Sequence, residues 1–164
     1  MRREPAWTLP EALLAVSILA VLGVQLWRGG AQALAMQRLQ TASQRVTGGL
    51  EEARAAALRE GRPCGLRLGP SGWEAPRNST LPACLGVRPG LGAGMDDGSL
   101  EPRLAHNLSD PVRFSANGLV LDGGTIWLRN PHTPLVRCVV VSLPLGVTRV
   151  GREGPSGCEP ESAP

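Results

Sequence analysis

From Trp7 to Trp27 the chain reads WTLPEALLAVSILAVLGVQLW, an apolar run carrying one charge, Glu11. As a helix rising about 1.5 Å per residue it extends roughly 30 Å, the thickness of a bilayer's hydrocarbon core. Arg2 and Arg3 precede the run and Arg28 closes it. Basic residues ahead of a span favour a cytoplasmic N-terminus, with the bulk of the chain on the far side. Beyond the span the pattern changes from apolar on all sides to apolar on one face. Leu39, Ala42, Val46, Leu50, Ala53 and Ala57 recur at steps of three and four, against Gln37, Arg38, Gln44, Arg45, Glu51 and Arg54. That spacing predicts that the helix continues as an amphipathic one. Gly29-Gly30 and Gly48-Gly49 mark bends or thin packing points, and Gly61 with Pro63 ends the helix.

After Pro63 the period shortens to that of strands. Residues 64–68 and 73–75 read as a hairpin about the turn Gly69-Pro70-Ser71-Gly72. Residues 76–111, rich in Pro, Gly, Asn, Asp and Ser, read as mostly loop. Residues 112–115, the turn Asn117-Gly118, residues 119–121, Asp122-Gly123-Gly124 and residues 125–128 predict a meander. Two more strands are expected at 136–142 and 147–150, and the tail after Gly151 is expected to fray except where Cys158 holds it. The class is α+β: one long N-terminal helix packed on a small antiparallel β-sheet domain.

Composition changes this picture in two places. With 21 Gly, 15 Pro and only 3% aromatics, the outer domain has a thin core and many turns. The four cysteines, Cys64, Cys84, Cys138 and Cys158, all lie beyond the span, and an even number on the translocated side reads as two disulfides in an oxidising space. Of three possible connectivities the nearest-partner one, Cys64–Cys84 with Cys138–Cys158, is favoured. Each bridge then closes a loop of about twenty residues, worth roughly 3 kcal/mol in the chain-entropy model. The net charge of +3 says nothing about a partner.

Glu11 is the residue that asks for a reason. A carboxylate at bilayer depth costs on the order of 2.5–3.5 kcal/mol and marks function more often than structure. Thr8-Leu9-Pro10-Glu11 fits a capping box, but caps usually stand in water. Residues 7–14, WTLPEALL, followed by the apolar run, resemble the class III signal of type IV pilins and pseudopilins. The resemblance implies a leader at residues 1–6, cleavage by a prepilin peptidase between Ala6 and Trp7, and N-methylation of Trp7. It also implies that Glu11 pairs with the N-terminus of a neighbouring subunit as the helices bundle. Ala6 stands where the family has Gly, and Trp7 where it has Phe. The later motifs, at residues 112–118 (VRFSANG), 124–128 (GTIWL) and 139–142 (VVVS), together with helix residues 50–59 and Trp73, resemble the FimT/GspH branch. The implied organisation is leader 1–6, transmembrane helix 7–27, periplasmic helix 28–61, β-rich domain 62–154 and tail 155–164. The chain would be anchored in a bacterial inner membrane, with other pilin or pseudopilin subunits and the prepilin peptidase as partners.

No catalytic constellation is evident, so the reading is not an enzyme, with no cofactor and no metal. His106 and His132 fall in Pro- and Asn-containing loops, Asp96-Asp97 and Asp122 suit turns, and Gly90 to Gly94 is not followed by a helix start. FimT-type pilins are associated with DNA uptake through a basic G-R-x-R stretch. The matching place is residues 146–149 followed by Gly151-Arg152, with Val147 where the first arginine would be, leaving Arg149 and Arg152 as the candidate DNA contact beside Arg129 and Arg137. Three readings remain: an assembling minor pilin or pseudopilin, the same scaffold acting as a DNA receptor, and a secreted disulfide-bonded domain released by signal peptidase at Ala33-Leu34-Ala35.

Overall fold

A computed structural model describes residues 9–70, 72–77, 79–84 and 101–160, without the side chains of residues 25–28. Ala6, Trp7, Thr8, Gly90 to Gly94 and Asp96-Asp97 lie outside the described residues. One helix, α1, runs Leu9–Glu60 and is followed by β1 (Cys64–Gly69), β2 (Gly72–Glu74), β3 (Arg103–His106), β4 (Val112–Phe114), β5 (Gly124–Arg129), β6 (Val136–Ser142), β7 (Val147–Gly154) and β8 (Gly157–Pro160). The chain up to Leu34 forms one compact unit and Ala35–Pro164 a second.

Within the second unit α1 packs on two antiparallel sheets, of order β2-β1-β4 and β3-β5-β6-β7-β8. The predicted helix face is the buried one: Leu39, Ala42, Val46, Leu50, Ala53 and Ala57 are each 0–3% exposed. Leu66, Leu68 and Trp73 meet this ridge from the first sheet, and Ile126, Val139 and Val141 from the second, around Phe114. At Gly49 the helix comes close to the first sheet. A Cβ added there would collide with the Trp73 ring, whose Nε1–H donates to the Val46 carbonyl at 3.1 Å. Gly48, its neighbour, faces open space. Gly61 ends the helix in the left-handed conformation (φ 60°), which glycine adopts at low cost.

Three expectations are corrected. His106 is not in a loop: within residues 76–111, expected to be mostly loop, β3 pairs with β5 in the register Leu104↔Leu128. Four residues flanked by Pro and Asn carry little local signal, and this strand exists because β5 supplies its ladder. His106 therefore sits on a strand, half-buried, with Nε2 3.0 Å from the Leu68 carbonyl of the other sheet. Residues 112–128 do not form one meander either. β4 pairs with β1 and β5 with β6, placing the two in different sheets. Between them the chain turns tightly through Gly118 (φ 68°) and docks Val120 N–H on the Pro144 carbonyl at 3.0 Å.

The tail is the third correction. Instead of fraying after Gly151, β7 runs to Gly154 and turns back as β8, with Arg152 opposite Glu159. Cys138 on β6 is bonded to Cys158 on β8, with Cα atoms 5.9 Å apart, across the intervening β7 at Gly151. A Cβ at Gly151 would collide with the Glu159 backbone, so the bridge crosses β7 where β7 has no side chain. The other disulfide joins Cys64 to Cys84 and holds the segment before Cys84 beside β1, where Cys84 N–H donates to the Gly65 carbonyl at 3.1 Å.

Arg113 and Asp122 close the loop after β4. Arg113 Nε and Nη2 bond the Asp122 carboxylate at 2.8 and 2.9 Å, and the Arg113 backbone N–H adds a third bond at 3.0 Å. Hydrogen bonding to the guanidinium, against some opposing desolvation, holds the Asp122 carboxyl below its ordinary range.

Two stability measurements follow. Gly48→Ala should raise the urea midpoint by the equivalent of about 0.5–1 kcal/mol, the helix-propensity gain. Gly49→Ala should lower it by about 1–3 kcal/mol, the usual cost of overpacking, because the Trp73 ring must move. For the ion pair, a depressed carboxyl stabilises the fold above its unfolded value of about 3.9 and ceases to as pH falls through the lower folded value. The stability gap between wild type and Asp122→Asn should therefore be constant from neutral pH to about pH 5 and close on further acidification. A gap that widened on acidification would contradict the clamp.

Candidate functional site

The first part of α1 is apolar without a preferred side. Leu13, Leu14, Val16, Ile18, Leu19, Val21, Leu22 and Val24 are each 51–67% exposed. By length and composition the helix is able to cross a membrane, and none of its most apolar window is buried against protein. A helix apolar all round needs lipid or other helices as its surroundings. Two polar side chains interrupt residues 9–24. Ser17 is satisfied within the helix, its hydroxyl donating to the Leu14 carbonyl at 2.8 Å. Glu11 lies in the first turn with its side chain exposed, where a carboxylate also complements the positive end of the helix dipole. Thr8, the other half of the capping box, is outside the described residues.

Ala35 is 0% exposed within the same unbroken helix, whereas Ala33 and Leu34 before it are exposed.

The candidate arginines do not converge. Arg149 lies opposite Val140 and Arg152 opposite Arg137 on β7, with no bulge between them. A spacing of three along a strand sends the two exposed side chains to opposite faces of the sheet. Arg129, on β5, reaches over Val136 of β6 to Glu153 of β7 at 3.1 Å, an ion pair that motif reading did not anticipate. Its signal was available only through register, since Arg129 and Glu153 are 24 residues apart. His132 is exposed in the turn after β5, its backbone N–H bonded to Asn130 Oδ1 at 3.0 Å. Among the described residues no group of three His, Cys, Asp or Glu is placed to hold a metal ion.

The family model for the type II transport protein GspH matches residues 42–145, from the middle of the packed helix to the β6–β7 turn. Glu11, Arg149, Arg152 and Cys158 fall outside the matched stretch. No curated protein and no solved structure matches the chain. The matched stretch is well over half of the 164 residues, and with the long helix on small antiparallel sheets it leads to one conclusion: the chain belongs to the GspH family of pseudopilins, structural subunits of pilin type.

Proposed function

We propose that the chain is a minor pilin or type II secretion pseudopilin whose N-terminal helix is both its membrane anchor and its assembly element. In this reading residues 1–6 are removed by a prepilin peptidase, the new N-terminal amine of Trp7 is methylated, residues 7–27 span the inner membrane, and the disulfide-bonded domain stands in the periplasm. Glu11 then pairs with the N-terminus of a neighbouring subunit when the helices leave the lipid and bundle. The observation that carries the reading is the exposed apolar stretch with a carboxylate in its first turn, running without interruption into the helix that supports the domain. An unpaired charge in lipid is costly, and pairing in a bundle removes that cost while fixing the axial register of the subunits.

Release after Ala35 would detach the domain at a residue whose side chain is buried in it. A DNA contact through Arg149 and Arg152 would have to engage both faces of β7, so the proposal is confined to assembly.

The test is Glu11→Ala in the full chain, expressed in its own host. Membrane insertion and the folded domain should be unchanged. Recovery in sheared filaments should fall by at least about tenfold, because breaking one side of a buried pair costs about 3–5 kcal/mol. Wild-type recovery would overturn the assembly role of Glu11.

A further inference from the structure

The two disulfides sit in different surroundings. Cys64 and Cys84 are 5% and 6% exposed and belong to the core cluster around Phe114. Cys138 and Cys158 do not. Cys138 stands opposite Trp127 on one side and Gly151 on the other, and directly opposed residues share a sheet face. Its neighbour Val139 points the other way, into the core with α1. The Cys138–Cys158 bridge therefore lies on the face of the five-stranded sheet turned away from the helix. Cys138 is covered there, and Cys158 is partly exposed.

The strand held by this bridge has little else to hold it. β8 carries no aliphatic or aromatic side chain, and Gly157, Glu159 and Pro160 are exposed. None of its residues enters the core clusters. β7 meets it with Gly151 and Gly154, which offer no side chain to pack on, and Pro160 has no N–H for the ladder. Glu159 stands opposite Arg152, both exposed, where water leaves opposite charges only a small contribution. The bond from Ser156 Oγ to Glu159, 2.7 Å, lies inside the hairpin and does not tie it to β6. The hairpin also begins beyond residue 145, where the family match ends, so the matched helix–sheet core does not include it.

We infer that Cys138–Cys158 is a redox latch: a dithiol reductant opens it ahead of Cys64–Cys84, releasing β8 and baring the edge of β7 while the helix–sheet core stays folded. A thiolate of the reductant attacks Cys158 Sγ, and Cys138 leaves as a thiolate that takes up a proton. The second thiol of the reductant then displaces Cys158 as a thiol, and the reductant is left as its own disulfide. Two electrons pass to the bridge, and the two protons of the dithiol end on the two cysteines. Access separates the bridges, because Cys64 and Cys84 are both buried in the core and reaching them requires local unfolding. The bared edge, residues 151–154, is a row of unpaired backbone groups on which another strand can pair; with the latch closed, β8 covers it. The latch goes beyond the assembly reading and holds whether or not Glu11 acts in assembly.

The test is graded dithiothreitol treatment of the full-length protein in detergent, read by cysteine alkylation with mass spectrometry and by amide hydrogen exchange. Cys138 and Cys158 should become alkylated at a concentration at least tenfold below that needed for Cys64 and Cys84. At that concentration exchange across residues 152–159 should quicken at least tenfold, while residues 46–57 and 124–129 keep their protection. Opening of Cys64–Cys84 first or together with the other bridge would overturn the inference. So would unchanged exchange in residues 152–159, or protection lost throughout the domain. Cys138→Ala/Cys158→Ala should show the same exchange pattern with no reductant added. A protected hairpin in that variant would mean that β8 holds without the bridge, and an unfolded variant that the core needs it; either result sinks the latch.

Discussion

One helix has to satisfy two environments, and the change falls between Val24 and Ala35. On the N-terminal side every face carries exposed Leu, Val or Ile, which only lipid or other helices accommodate. From Ala35 onward one ridge is buried and the remaining faces are polar. The ridge is built largely of alanine, which brings the backbone of α1 close to the sheets, and at Gly49 only hydrogen is tolerated beneath Trp73. The domain is thus folded onto the part of α1 that begins at Ala35.

Little else in the domain is generously packed. Phe114 is the one phenylalanine and the chain has no tyrosine, so a few aliphatic layers carry the core. Two disulfides, each closing a loop of sequence separation 20, act where such a core is weakest. One secures the segment before Cys84, and the other secures the terminal hairpin. The Arg113–Asp122 clamp does the same for the loop after β4. These local ties let loops with few apolar residues hold shape.

The sequence was informative where a period extended over several turns or where a residue violated its surroundings. The buried face of α1 could be read position by position because its 3.6-residue period persists from Leu39 to Ala57. Glu11 was conspicuous as the one charge in an apolar run. The strands were legible where Val, Ile and Trp cluster, as in β5 and β6. β3 was not, because four residues between Pro102 and Asn107 owe their extended form to pairing with β5. β8 was missed because Gly, Pro and Glu have little strand preference, and its position depends on Cys138 and on the missing side chain at Gly151. The separation of Arg149 from Arg152 was available in the sequence, since a spacing of three changes face in a strand. Motif matching set that period aside.

The central claim is that the apolar helix is kept and used. The most direct test is the intact mass and N-terminal sequence of the protein purified from the membranes of the cells that make it. The account predicts a chain beginning at Trp7 with a methylated amine. A chain beginning at Met36 would contradict it, because the helix with its carboxylate would then be discarded before any assembly.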